Sequence, residues 1–167
     1  MGHPVLRQRA RPVDKSLLRN PLTQKLIDDM IDTMHEYHGV GLAAPQVHED
    51  LRVFVALLDD EPGPDSEAVA LINPEILPQV TDTEEGWEGC LSIPDIRGKV
   101  PRFTEVVVKA LDRDAKSVEL RLKKFPARVA QHETDHLDGI LFFDRMTSMQ
   151  SLTYLDEFNR YHSKDDD

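Results

Sequence analysis

The chain has 167 residues, of which 20 are lysine or arginine and 31 are aspartate or glutamate, so its formal net charge is −11 at pH 7. This acidic balance argues against general nucleic-acid binding and against binding to an anionic membrane surface. The single cysteine cannot form an internal disulfide, and no apolar run is long enough to span a bilayer or to act as a secretory signal. We therefore expect one domain over residues 1–167, in the reducing cytoplasm.

The first 40 residues predict an arm followed by a helix. Residues 1–12 are polar and marked by prolines, which favours an extended arm. Asn20-Pro21 is typical of a helix cap with a proline in the first turn, and Gly39 is typical of a helix end. Apolar residues recur at every fourth position between them and predict an amphipathic helix. They are Leu22, Leu26, Met30 and Met34.

The next segment, GVGLAAPQ at residues 39–46, formally matches the dinucleotide-binding pattern G-x-G-x-x-A. That pattern requires a strand before it and a helix after it, whereas here a helix precedes it and the apolar run 51–58 predicts a strand after it. We interpret the segment as a loop whose small residues let a ligand approach the backbone, with the Gln46 amide as a hydrogen-bond donor. A plain tight connection is the alternative.

The middle of the chain predicts antiparallel strands. A second strand covers residues 68–72 and ends at Asn73-Pro74, and the alternating runs 104–112 and 117–124 predict a hairpin. Glycines and prolines throughout 84–102 predict an irregular segment. A final short helix is predicted within 149–162, before an acidic tail at 163–167. The fold class is therefore α+β, with antiparallel strands packed around a central helix, an N-terminal helix and a short C-terminal helix.

The central helix contains the sequence HETDH at residues 132–136. His132 and His136 are four residues apart, so both project from one helix face and can bind one metal ion. Glu133 points close to the same place, which suits a general base beside a metal. Pro126 fits the first turn and Gly139 fits the left-handed position after the last turn. The alternative is a surface helix that carries two histidines and an acidic pair.

Two histidines leave a catalytic metal site incomplete, so a third ligand is needed. The pattern H-E-x-x-H-x-x-G-x-x-H would supply a third histidine, but Phe142 occupies that position and excludes that protease class. Asp156 and Glu157 in the last helix are acidic candidates, as in a metal-dependent endopeptidase. Cys90, the only cysteine, is the other candidate.

Three motifs, GVGLAAPQ, EGCLS and QHETDH, occur in this order and with separations that resemble the signature motifs of peptide deformylase. This family removes the formyl group from the initiator methionine of new proteins. The resemblance extends from about Pro4 to about Met146. It implies a single peptide deformylase-like catalytic domain.

The resemblance also implies a role for individual residues. The ligands of one divalent metal ion would be Cys90, His132 and His136. Glu133 would be the general base and then the acid, while the Gln46 side chain and the Leu91 backbone N–H would donate hydrogen bonds to the developing oxyanion. Six further positions would contact substrate. These are Gly41 through its backbone, Val40, Phe125 and Val129 in the methionine pocket, and Arg97 and Glu88 at its rim.

The cofactor implied by the resemblance is Fe²⁺, with Zn²⁺, Ni²⁺ or Co²⁺ expected in purified protein because one thiolate and two imidazoles accept all four ions. The implied partners are N-formylmethionyl peptides and nascent chains. Relatives usually begin with several more residues ahead of His3-Pro4. Some end in a longer basic helix that contacts the ribosome, whereas Lys164 and three aspartates end this sequence, so ribosome contact stays open. The other function classes are an HExxH endopeptidase and a non-catalytic module stapled by a metal.

Overall fold

The computed structural model describes residues 1–63 and 65–163, so the predicted acidic tail lies outside it except for Ser163. Its helices are α1 (Pro21–Glu36), α2 (Lys124–Leu137), α3 (Phe142–Arg145) and α4 (Leu155–Tyr161). Its strands are β1 (Gly41–Ala43), β2 (Val53–Leu57), β3 (Ala68–Pro78), β4 (Thr83–Cys90), β5 (Ile93–Phe103), β6 (Glu105–Leu111), β7 (Ser117–Lys123) and β8 (Thr153–Tyr154). The predicted α+β class is confirmed.

The strands form two antiparallel sheets that meet at α2. One sheet has the order β1-β2-β3-β6-β7 and the other has the order β4-β5-β8. α2 packs against β1 and β2 of the first sheet and against β5 of the second. Buried apolar side chains of α2 and the five-stranded sheet form one continuous core between them, which includes Phe54, Leu71, Val106, Ala127 and Leu137. The sequence motif of α2 is therefore surrounded by antiparallel strands, as predicted, and these strands belong to two sheets.

Helix α1 begins as predicted, because the Asn20 side chain accepts a hydrogen bond from the Leu22 backbone N–H at 2.9 Å. Its buried face is formed by Ile27, Met30 and Met34. Leu22, the first residue of the predicted apolar repeat, does not lie on this face and is 77% exposed. Residues four apart drift by about 40° around a helix at each step, so Leu22 lies about 120° away from Met34.

The predicted extended arm is also wrong. Residues Pro4–Arg7 form a turn of 3₁₀ helix, and Leu6 and Ala10 are buried. The Ala10 N–H donates to the Leu137 carbonyl at 2.8 Å, which ties this segment to the end of α2. Gly139 adopts the predicted left-handed conformation (φ 73°), and a Cβ there would lie 2.7 Å from the Arg7 carbonyl carbon. The N-terminal segment thus packs closely against the turn that ends α2.

The segment 84–102, predicted to be irregular, forms most of the β4–β5 hairpin. The prolines favoured an irregular segment over a strand, because proline is excluded from strands that are paired on both sides. β8 pairs with β5 only at Ile96 and Arg97. Within the described residues, Pro94 and Pro101 therefore lie where one edge of β5 has no strand partner.

Two element boundaries also differ from prediction. β3 does not end at Asn73, which has a positive φ of 52° at a shift in strand register, and the strand continues to Pro78. The Asn73 side chain explains this bulge, because it exchanges two hydrogen bonds of 2.9 Å with the Val13 backbone. The last helix begins only at Leu155. Residues Met149–Ser151 form a 3₁₀ turn, and β8 lies between this turn and the helix.

Segment 39–46 also differs, because it contains a short strand, β1, and the start of a 3₁₀ helix, Ala44–Val47, where a loop was predicted. β1 forms because Gly41–Ala43 pairs with β2. Among residues 1–63 and 65–163, no helix is sufficiently long and apolar to cross a membrane.

Candidate active site

Three side chains with metal-binding atoms converge between the two sheets. Cys90 ends β4, and His132 and His136 lie one turn apart on α2. The three ligand atoms all lie within 4.8 Å of one another, and the Cys90 Sγ is 3.1 Å from the His136 Nε2. No other group of three or more such residues forms in the part of the chain that the structure describes. The cluster of metal-binding atoms therefore does not include Asp156 or Glu157, the alternative third ligands.

His132 is oriented by Glu88. The Glu88 side chain is 4% exposed, and its Oε2 lies 2.8 Å from the His132 Nδ1. Burial acts to raise the pKa of Glu88, but hydrogen bonds to His132 and Arg102 outweigh it and hold that pKa well below its ordinary range. An ionised carboxylate only accepts, so the His132 Nδ1 carries the proton. Burial acts to lower the pKa of His132, but hydrogen bonds to Cys90 and Glu88 raise it well above its ordinary value. A metal at Nε2 would therefore replace a proton there, while Nδ1 keeps its hydrogen bond to Glu88.

His136 is suited to bind a metal in its neutral form. Its Nδ1 is buried and has no hydrogen-bond partner among the described residues. Burial, followed by the nearby His132, lowers the pKa of His136 well below the ordinary histidine value. A thiolate and two imidazoles match the ligand types and the number expected at a catalytic zinc-type site, which keeps a further position open. The residues present therefore fit a divalent metal ion.

Glu133 lies beside this cluster. Its side chain is buried, and its Oε2 has no hydrogen-bond partner in the described part of the chain. Burial raises the pKa of Glu133 to about 7, and the charge of Glu88 acts in the same direction. A carboxyl group with this pKa can both accept and return a proton near neutral pH. Gly41 makes room for it, since a Cβ at that position would lie 2.7 Å from the Glu133 Cδ.

Gln46 is held with its amide nitrogen towards Cys90. Its Oε1 accepts a hydrogen bond from the Ala43 backbone N–H at 2.8 Å, which fixes the orientation of the amide. Its Nε2 lies 3.5 Å from the Cys90 Sγ and 3.2 Å from the Ser92 Oγ. Gln46 therefore presents a donor at the site, as its predicted role requires.

Leu91 and Arg97 also lie near Cys90. Leu91 follows Cys90 at the turn between β4 and β5, and its side chain is 40% exposed. Arg97 lies on β5, where its Nη1 donates to the Ile96 carbonyl at 3.0 Å. A Cβ on Gly89 would lie 2.7 Å from the Arg97 Nε, so the Arg97 side chain covers the residue that precedes Cys90.

A cavity of about 280 Å³ lies beside the N-terminal part of α2. Its lining residues are Glu84, Gly86, Arg102, Phe103, Thr104, Lys124, Phe125 and Arg128. Phe125 is thus at a cavity, as the predicted pocket requires. Val40 and Val129 are not among its lining residues, and Val129 is 4% exposed within the core between α2 and the large sheet.

The prediction that Glu88 lies at the rim is wrong. Its carboxylate is enclosed by Arg102, Arg128 and His132, because β4 turns this side chain towards α2. Sequence reasoning also missed Ser92, Arg102, Arg128 and Asp135. No local signal pointed to Arg102, because the segment that contains it was predicted to be irregular.

The model of the family described as polypeptide deformylase matches residues 1–152. The chain belongs to the polypeptide deformylase family. It is 41% identical to peptide deformylase 2 of Nostoc sp. over 98% of this chain and 93% of that protein. It is 46% identical to the peptide deformylase of Thermotoga neapolitana, over 90% and 87% of the two chains. The chain is accordingly an enzyme, a deformylase that removes the N-formyl group from nascent peptides, and the family is metal-dependent.

Solved structures agree with this assignment. A crystal structure of peptide deformylase from Thermotoga maritima has a TM-score of 0.80 and 44% identity, over 89% of this chain and 95% of that one. A class I type b peptide deformylase from Acinetobacter baumannii, bound to Met-Ala-Ser, has a TM-score of 0.80 and 43% identity, over 87% and 94% of the chains. Both chains therefore share the fold of this one over most of its length.

Proposed function

We propose that this deformylase binds one divalent metal ion through Cys90, His132 and His136 and uses Glu133 for proton transfer on N-formylmethionyl peptides. The observation that carries the proposal is the convergence of the three ligand atoms within 4.8 Å of one another, next to a buried carboxyl group. A purely structural metal site does not require a buried carboxyl group without a hydrogen-bond partner beside its ligands, as the Glu133 Oε2 is here. This favours a catalytic site over a metal staple.

The bound ion would act as a Lewis acid, which polarises a carbonyl oxygen and lowers the pKa of water. Glu133 takes a proton from the attacking water molecule and then protonates the departing amine nitrogen, for which its pKa of about 7 is well placed. The Gln46 Nε2 and the Leu91 N–H donate hydrogen bonds to the oxygen on which negative charge develops. Because the Gln46 Oε1 is already bonded to Ala43, the amide does not have to reorient during the reaction.

The substrate backbone is proposed to bind between the edges of the two sheets. β1 is an edge strand of the five-stranded sheet, and β4 is an edge strand of the three-stranded sheet. Gly41 lies on β1 next to Glu133, and Cys90 lies at the end of β4. An extended peptide that pairs with either edge would pass over the metal ligands. Gly41 would contribute its backbone to that pairing.

The first side chain of the substrate is proposed to enter the cavity beside Phe125. This cavity lies one to two helical turns before His132, so a side chain in it would leave the formyl group close to the ligands. A long, unbranched methionine side chain suits a cavity whose wall includes an aromatic ring. The Acinetobacter baumannii enzyme bound to Met-Ala-Ser supports methionine as the first residue. Val40 and Arg97 are proposed to contact the peptide at the exposed side of the site.

The native ion is proposed to be Fe²⁺. The ligand set also accepts Zn²⁺, Ni²⁺ and Co²⁺, so availability in the cell decides which one is bound. Ferrous iron with a thiolate ligand and an open position should react with oxygen. Protein prepared without oxygen should therefore contain iron and lose activity in air, which metal analysis beside formate release would measure. Iron activity that is stable in air would contradict this part of the proposal.

We further propose that the enzyme acts in the cytoplasm, where nascent chains are made.

The test of the function is formate release from formyl-Met-Ala-Ser by metal-loaded protein. Acetyl-Met-Ala-Ser is the matched control, because its extra methyl group would crowd Gly41 and Leu91 while the rest of the peptide is unchanged. We expect formate release from the first peptide and almost no cleavage of the second. Cleavage of internal bonds in casein, in the absence of formate release, would instead support the endopeptidase alternative.

A further inference from the structure

A continuous chain of charged side chains connects the surface of α3 to the metal ligand His132. Arg145, on α3, donates to Asp135 through Nη2 at 2.7 Å and through Nε at 3.1 Å. Arg102 donates to the same carboxylate at 2.5 Å. Arg102 also binds both oxygens of Glu88, at 2.9 and 3.0 Å. Glu88 in turn holds the His132 Nδ1 at 2.8 Å.

All members of this chain between its two ends are buried. The side chains of Arg102, Asp135 and Glu88 are 5%, 9% and 4% exposed, whereas that of Arg145 is 47% exposed. Buried charges depend on their partners, because water cannot replace a lost contact. A change at the exposed end should therefore alter how the buried groups share their hydrogen bonds.

Arg102 is the element that couples the two carboxylates. Its guanidinium divides its donors between Glu88 and Asp135, while Arg145 supplies the remaining cationic contact of Asp135. If Arg145 is removed, Asp135 depends on Arg102 alone for ion pairing within the described residues. Arg102 would then be drawn towards Asp135, and its contacts to Glu88 would weaken.

We infer that Arg145 is a positioning residue for the metal centre, acting on His132 through Asp135, Arg102 and Glu88. Arg145 touches neither the ligands nor the proposed substrate site. Its effect should therefore appear in metal affinity, because the hydrogen bond on the Nδ1 of a ligating histidine sets the orientation and basicity of the ring. The inference rests on the proposed metal site.

The experiment compares Arg145→Met with Arg7→Met. Arg7 is the matched control, because its side chain is also 47% exposed and also pairs with a carboxylate of α3, Asp144, but has no link to Asp135. The measured quantity is the dissociation constant of Zn²⁺, obtained by competition with a chromophoric chelator. We expect Arg145→Met to weaken binding about 3- to 10-fold, Arg7→Met to change it less than twofold, and Arg145→Lys to recover part of the loss.

Repeating the comparison in a Glu88→Ala background tests the route of the effect. With Glu88 absent the chain is interrupted, so Arg145→Met should then have no further effect on affinity. Equal losses in Arg145→Met and Arg7→Met, or the same loss with and without Glu88, would overturn the inference. If Arg145→Met does not fold, Arg145→Lys carries the same comparison with a smaller expected loss. Failure of the unmodified protein to bind Zn²⁺ would reject the metal site itself, whereas binding that is indifferent to Arg145 would reject only this inference.

Discussion

The carboxylate of Glu88 and the imidazole of His132 form a buried pair, in which Oε2 and Nδ1 are 2.8 Å apart. The two residues come from different layers of the fold, β4 and α2. Glu88 therefore joins the strand that carries Cys90 to the helix that carries both histidine ligands. This pair fixes which nitrogen of His132 is available to a metal.

Replacing Glu88 should weaken metal binding without removing a ligand. Glu88→Gln keeps the shape of the side chain but loses the charge that Arg102, Arg128 and His132 share. Loss of such an outer contact typically lowers metal affinity by about 10- to 100-fold. Chelator competition measures this, with Glu84→Gln, an exposed residue of the same strand, as the control. Unchanged affinity in Glu88→Gln would show that His132 does not need the charge of Glu88.

A methyl group on Gly41 should impair catalysis more than folding. The added Cβ would lie 2.7 Å from the Glu133 Cδ, so the end of the Glu133 side chain has to move. A displacement of about 1 Å in a catalytic group can cost ~10²-fold in rate. We expect Gly41→Ala to retain its metal and its thermal stability while formate release falls by about that factor.

The control is Gly63→Ala, because a Cβ at Gly63 meets no atom within 4 Å. Full activity of Gly41→Ala would show that the position of Glu133 is not critical.

Substitution of Cys90 should affect every metal that the site accepts. A serine hydroxyl is a poorer ligand than a thiolate for Fe²⁺, Zn²⁺, Ni²⁺ or Co²⁺. We expect Cys90→Ser to bind each ion much more weakly, as measured by metal content after dialysis. Native occupancy and affinity in this variant would remove Cys90 from the ligand set.

The contribution of Asp144 to stability should decrease in acid. Burial acts to raise the pKa of Asp144, but hydrogen bonds from Arg7 and from the Leu141 backbone N–H lower it below its ordinary value. A carboxyl group with a lowered folded-state pKa stabilises the protein above its unfolded pKa of about 3.9, and this contribution is lost as the pH falls through the folded value. Asp144→Asn should therefore be destabilised most above about pH 5 and progressively less below about pH 4.

Urea unfolding as a function of pH measures this difference, and Asp60→Asn in the loop after β2 is the control. A difference between Asp144→Asn and the unmodified protein that does not vary with pH would contradict the assignment.

The metal-ligand helix could be predicted because its signals are local. The spacing of His132 and His136, the first-turn position of Pro126 and the left-handed Gly139 are all set by the period and the termini of one helix. Periodicity alone could not predict Cys90 as a ligand, because its proximity to the histidines depends on how β4 packs against α2. The three motifs together, and not the cysteine alone, identified it.

The environment of Glu88 could not be predicted for the same reason. Its burial depends on pairing between β4 and β5 and on Arg102, 14 residues later, which donates to it. The glycines and prolines of this hairpin resemble those of a loop. They are tolerated because β8, which lies far along the chain, pairs with β5 only at Ile96 and Arg97. Contacts between residues so far apart leave no periodic signal in the sequence.

The most direct test of the central claim is the turnover and metal content of Glu133→Gln, measured together with formyl-Met-Ala-Ser as substrate. Glu133 is proposed to transfer protons and not to bind the metal. We therefore expect the variant to keep close to one metal ion per chain while its rate of formate release falls by ~10²- to 10⁴-fold. Turnover within a few-fold of the unmodified protein, at full metal occupancy, would contradict it.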